Sequence, residues 1–92
     1  MSFSFEISDG LKKIFDKLRY KDRNLAIAVR KKIIQIINSD SVSIGHFKNL
    51  RHDLSHLKRV QVGSFVLVFR IKGDVIIFED FDHHDRIYKN RF

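Results

Sequence analysis

Asp82-His83-His84-Asp85-Arg86-Ile87-Tyr88 sets two imidazoles, a guanidinium and a phenol among carboxylates within one short stretch. Upstream, Leu57-Lys58-Arg59-Val60-Gln61-Val62 and Phe65-Val66-Leu67-Val68-Phe69-Arg70-Ile71 are apolar runs studded with cations. These side chains can hold a phosphodiester and move protons near neutral pH. Metal-free RNA cleavage uses the 2′-hydroxyl as nucleophile on the adjacent phosphorus. It requires a base near that hydroxyl, an acid near the leaving 5′-oxygen and cations around the phosphorane. Histidine suits the proton transfers because it titrates near neutrality. Arginine and lysine suit the phosphate, arginine with two parallel N–H contacts. Tyrosine can stack on a splayed base.

No glycine-rich phosphate loop competes with this constellation, and the absence of cysteine removes thiolate metal sites and disulfides. His52 and His56 are four residues apart and on a helix could face one metal. An irregular connection is expected there, and no carboxylate pair completes a site, although Asp53 lies between them. Neither a metal nor another cofactor is expected. The net charge of +7 favours a polyanionic partner, nucleic acid before acidic protein and acidic protein before anionic membrane. No apolar stretch approaches the roughly 20 residues needed to cross a bilayer, and the first residues lack the basic and apolar regions of a secretory signal. Cytoplasmic residence is therefore expected, and the cysteine-free composition fits it.

The elements that must position these groups follow from hydropathy. Ninety-two residues, 43% of them hydrophobic and nine of them phenylalanine, make one domain spanning 1–92. Phe3, Phe5 and Ile7 alternate with polar residues and predict a first strand. Ser8 or Asp9 can cap a helix over 9–19, where Leu11, Ile14, Phe15 and Leu18 form the buried stripe. Asp22 can cap a second helix, with Leu25, Val29, Ile33, Ile36 and Ile37 facing inward and an end near Asn38-Ser39-Asp40. So short a connection makes the helices an antiparallel hairpin. Residues 39–56 are the least regular, with Phe47 and Leu50 placed to tuck under the sheet. Three strands follow, 57–62, 65–71 and 75–81, joined by turns at Gly63-Ser64 and Lys72-Gly73-Asp74. The result is an α+β domain: an N-terminal strand, a two-helix hairpin, then an antiparallel sheet of three strands, with the helices on one face and the other left open for a ligand.

This pattern resembles the RelE/ParE superfamily of toxins from toxin–antitoxin pairs over nearly the whole chain. The stretch from Leu57 to Ile71 is similar to the family's hydrophobic-basic hairpin, and His83-His84-Asp85-Arg86-Ile87-Tyr88 is similar to its closing element. The resemblance implies a compact toxin neutralised by an acidic, partly disordered antitoxin that wraps around it. RelE-like members cut messenger RNA on the ribosome without a metal; ParE-like members inhibit DNA gyrase. A shared fold does not choose between them. A third possibility is a domain of the same fold that keeps only an antitoxin or RNA contact.

Lys58 and Arg59 match the basic residues of the family's second strand. Alternation groups Lys58 with Val60 and Val62 on the core side, so Arg59 is the expected catalytic cation. His83 falls on the family's histidine, His84 replaces the arginine that commonly follows, and Tyr88 falls where ribosome-dependent members carry a functional aromatic. Catalysis is thus expected from Arg59, His83, His84 and Tyr88 gathered on one sheet surface. RNA contact is expected from Lys48, Arg51, Lys58, Arg70, Arg86 and Lys89. His46, His52 and His56 are further candidates for RNA contact. One departure stands out: the family often has an arginine after the aromatic that follows the hairpin turn, and here Phe65 is followed by Val66. Phosphorane charge would then fall to Arg59, Arg70 or Arg86. Glu79, Asp80 and Asp82 are placed to balance local charge or orient the imidazoles.

Overall fold

The computed structural model describes residues 3–47 and 56–87. Strand β1, Ser4–Ile7, leads into helix α1, Asp9–Lys21. The Ser8 hydroxyl marks that boundary by accepting from the Leu11 N–H at 3.1 Å and donating to the Glu79 carbonyl at 2.8 Å. It satisfies one of the helix's orphan donors and ties the helix start to the sheet. Asp22 alone separates α1 from α2, Arg23–Ile37. Its N–H closes α1 on the Leu18 carbonyl at 2.8 Å, and its carboxylate caps α2 by accepting from the Leu25 N–H at 3.1 Å. A short helix α3, Ser41–Gly45, follows in a stretch where regular structure was not expected, and Asp40 caps it.

Strands β2 (Lys58–Val62), β3 (Phe65–Lys72) and β4 (Val75–His83) form consecutive antiparallel pairs. The sheet has four strands in the order β1-β4-β3-β2, because β1 joins β4 in parallel as an edge strand. The sheet is therefore mixed, a detail that hydropathy does not carry since it concerns a pairing between distant segments. Gly63 and Gly73 make the two hairpin turns with φ of +61° and +63°, a region costly for other residues.

A bulge shapes β4. Val68 pairs with Asp80 while Phe69 pairs with Phe78, which leaves Glu79 unpaired. The extra residue lets Phe78 and Phe81, three apart, both face the helices. There they join the main core with Leu11, Val29, Ile33, Ile36, Leu67, Phe69 and Ile76. Phenylalanine rings connect its parts: Phe47 meets Phe69 edge-on at 5.5 Å, Phe69 lies 5.9 Å from Phe78, and Phe15 lies 6.1 Å from Phe81. Leu50 lies outside the described residues. On the opposite face Leu57, Val66, Val68 and Ile87 form a second, smaller cluster. That face is thus partly closed by the C-terminal turn rather than fully open.

Candidate functional site

Strand β4 runs to His83, two residues further than its hydropathy suggests, so Asp82 and His83 obey strand alternation. His83 pairs with Phe65, Val66 with Asp82, and Val68 with both Asp80 and Arg59. Residues paired directly across strands share a face. Phe65 packs against the main core and Val68 belongs to the second cluster. His83 therefore stands on the helix side of the sheet, and Arg59 on the other. The structure does not gather them on one surface; strand periodicity carried past Phe81 is the physical reason. Tyr88, Lys48, Arg51, His52 and Lys89 lie outside the described residues.

The tail is fixed by backbone bonds. The His84 N–H donates to the Ser64 carbonyl at 3.0 Å, anchoring the tail to the β2–β3 turn. Helix α4, His84–Arg86, starts there with His83 as its cap. The Asp85 N–H donates to His83 Nδ1 at 3.3 Å, which puts the proton of the neutral ring on Nε2. The Asp85 carboxylate sits between the rings, 3.9 Å from His83 Nδ1 and 3.6 Å from His84 Nδ1. Asp82 accepts from the His83 N–H at 2.7 Å and lies 3.9 Å from Arg86 Nε. Two imidazoles and a guanidinium thus occupy one short, tethered segment, with the exposed Asp85 carboxylate near both rings.

The second-strand cations divide. Lys58, paired with Phe69, is on the helix side and donates to the Phe47 carbonyl at 3.2 Å. Arg59 is half-buried on the other face, and its Nε is buried with no hydrogen-bond partner among the described residues. Arg70 is engaged with Glu79 at 2.7 Å. Val66, where the family's arginine would stand, is fully buried in the second cluster. His46 ends α3, and both it and His56 are exposed. Among the described residues no group of three His, Cys, Asp or Glu side chains could hold a metal ion, and no helix is long and apolar enough to cross a membrane.

Two grooves escaped the sequence reading. One is apolar, lined by Phe5, Tyr20, Ile27 and Ile34 and bordered by Arg19, Arg23 and Arg30, with no acid in its lining. Its signal was the surplus of apolar residues on α2, too many for one buried stripe. The other lies where α1 meets the end of the sheet, with Lys17, Lys21, Phe65 and Arg86 in its wall. Lys17 and Lys21 are one helical turn apart, a spacing legible in the sequence.

A two-helix layer on a small mixed sheet, with a cationic hairpin and an imidazole-bearing tail, defines the class of compact RelE-like domains. The structure is similar to a chain of the toxin–antitoxin complex RelBE2 from Mycobacterium tuberculosis, with a TM-score of 0.65, 17% identity, and coverage of 91% of this chain and all of that one. It is also similar to YafQ from E. coli, with a TM-score of 0.62, 16% identity, and coverage of 94% and 98%. At those identities the likeness is one of fold. No family model matches the chain. Sequence similarity reaches further. A Methanocaldococcus jannaschii protein that carries a RelE toxin name, RelE4, is 42% identical over 92 residues, covering 97% of this chain and 94% of its own. An uncharacterized protein of Methanosarcina mazei is 34% identical over 89 residues, covering 94% and 99%. The chain belongs to the RelE toxin family.

Proposed function

We propose that this protein is the toxin of a toxin–antitoxin pair and inhibits translation in the cytoplasm by cutting messenger RNA on the ribosome without a metal. The observation that carries this reading is the tethered tail: His83 and His84 side by side, with Asp85 and Arg86 in the same turn and the His84 N–H anchored on Ser64. One imidazole takes the proton of the 2′-hydroxyl, whose oxygen attacks the adjacent phosphorus. The 5′-oxygen leaves with a proton from the second acid, giving a cyclic phosphate and a free 5′-hydroxyl. His83 and His84 are assigned the acid–base pair, and the one that protonates the leaving oxygen does so as imidazolium, because a neutral ring does not give up its N–H near neutral pH. Arg86 takes the phosphorane charge, and Tyr88 is assigned to the splayed base. Arg59, on the opposite face, is assigned to the RNA backbone beyond the scissile bond, together with Lys48, Arg51, Arg70 and Lys89. Lys58, held by Phe47, is the weakest candidate of that set.

The partner is an acidic antitoxin, and the apolar groove with its arginine border supports that chemistry. A second reading, a gyrase-binding toxin without nuclease activity, is favoured by one observation: Val66 buries apolar surface where a catalytic cation would stand. Induced expression followed by primer extension on cellular transcripts separates the readings. Codon-linked cuts support the nuclease. DNA damage without cuts supports the gyrase inhibitor, and absence of any growth effect supports a binding domain that has lost toxicity. Single changes of His83, His84 and Tyr88 to alanine test the tail; toxicity unaltered in all three removes it from catalysis.

A further inference from the structure

The groove between α1 and the end of the sheet has a cavity volume of about 390 Å³, within the range of small-ligand clefts. Its wall includes a prepared ring. Phe65 is half-buried and stacks on the buried Phe81 with centroids 5.2 Å apart and planes at 15°. His83 meets the Phe65 ring edge-on at 5.6 Å. Phe65 is therefore held by one neighbour beneath it and another at its edge, while it still borders the groove. Lys17 and Lys21 are exposed along α1, and the Arg86 side chain is 69% exposed. Asp22 and Asp82 also line the groove, but both carboxylates accept backbone N–H groups, from Leu25 and His83. Lys17 and Lys21 are exposed, while Arg86, 3.9 Å from Asp82, stands at the groove with most of its side chain accessible.

We propose that this groove holds one nucleotide of a single-stranded RNA, with its base against the Phe65 ring and its phosphates on Lys17, Lys21 and Arg86. A fixed aromatic surface with surrounding cations is what single strands require, because every base has a π-face and every linkage a charge. The inference rests on the RNA-directed reading above and deepens it. It puts that nucleotide on the α1 side of the sheet, beside His83, and leaves Arg59 on the other face to the backbone beyond the scissile bond.

The test is fluorescence anisotropy of a short labelled single-stranded RNA with the full chain. Lys17→Ala with Lys21→Ala is compared with Lys12→Ala with Lys13→Ala, which removes the same charge elsewhere on the same helix. The first pair is expected to weaken binding at least about fivefold and to lower the salt slope by about 1.4, the value for two lost contacts to a single strand. The control pair is expected to change affinity less than about twofold. Phe65→Leu, which keeps an apolar side chain on Phe81, is expected to weaken binding about 5- to 100-fold. Circular dichroism checks its fold. Should that variant unfold, 5-iodouridine cross-linking to the unaltered protein decides instead: attachment at Phe65 supports the groove, and attachment on the Arg59–Gln61 face with none at Phe65 overturns it. Equal losses from both lysine pairs overturn the groove and leave RNA cleavage standing. No RNA binding by the unaltered protein also overturns it. Cleavage itself is judged separately, by primer extension in a translating extract, where the ribosome supplies the message.

Discussion

Arg59 and His83 stand on opposite faces of one sheet, Arg59 behind Val68 and His83 beside Phe65. They share no partner among the described residues, so their contributions to cleavage are expected to be independent. His83→Ala should lower single-turnover cleavage about 10²- to 10⁴-fold, the usual worth of a positioned acid or base. Arg59→Ala should lower it less, and the double variant should match the product of the single effects within about twofold. A coupling energy above about 1 kcal/mol in that cycle would put both groups on one phosphate and refute the assignment.

Val66 has no exposed surface and touches the cluster that seats Ile87. Val66→Arg therefore forces a larger, charged side chain into a fully buried, packed place. The expected loss of stability is about 3 kcal/mol or more, read as a lower urea midpoint at unchanged slope. Activity should fall, not rise, because the Ile87 anchor of the tail is disturbed. A stable Val66→Arg protein with faster cleavage would show that the cluster opens easily.

The elements were legible because their periods are clean: Leu11, Ile14, Phe15 and Leu18 recur as a helix stripe, and Phe65, Leu67, Phe69 and Ile71 alternate as a strand. The site was legible as residue types, not as faces. Which face His83 takes depends on where β4 ends and on the bulge at Glu79. The one written trace of that bulge is the three-residue spacing of Phe78 and Phe81. The edge position of β1 depends on a pairing with a segment some seventy residues away, which no local pattern encodes. The apolar groove was visible only as excess, since a period assigns one stripe to a helix and α2 carries more than one.

Ser8 joins two levels of the fold, capping α1 and donating to the Glu79 carbonyl beside the bulge. Ser8→Ala leaves an orphan N–H and an orphan carbonyl in a partly buried place. The expected cost is about 1–2 kcal/mol, measured by urea unfolding. Ser8→Asp keeps an acceptor for Leu11 but cannot donate to Glu79, so it should recover only part of the loss. Full recovery would mean that the tie to β4 adds nothing.

Asp40 holds the start of α3, and hydrogen bonds from the Ser43 backbone and side chain keep its carboxyl below the ordinary value of 3.8. The sign follows from linkage: a folded pKa below the unfolded one stabilises the fold fully above the unfolded value, and that contribution is lost as pH falls through the folded one. The cap is therefore constant across neutral pH and weakens only in acid. Next in the chain, His46 ends α3 and Phe47 meets Phe69 edge-on while its carbonyl receives Lys58. Loosening the cap should thus be felt at the sheet. The Ser43 amide resonance is expected to titrate below 3.8, with the Phe69 ring signals moving in step. Asp40→Asn, a neutral cap, should remove that titration and leave both signals flat. A Ser43 amide that titrates above the ordinary carboxylate value would contradict the cap geometry, and Phe69 signals that ignore it would separate α3 from the core.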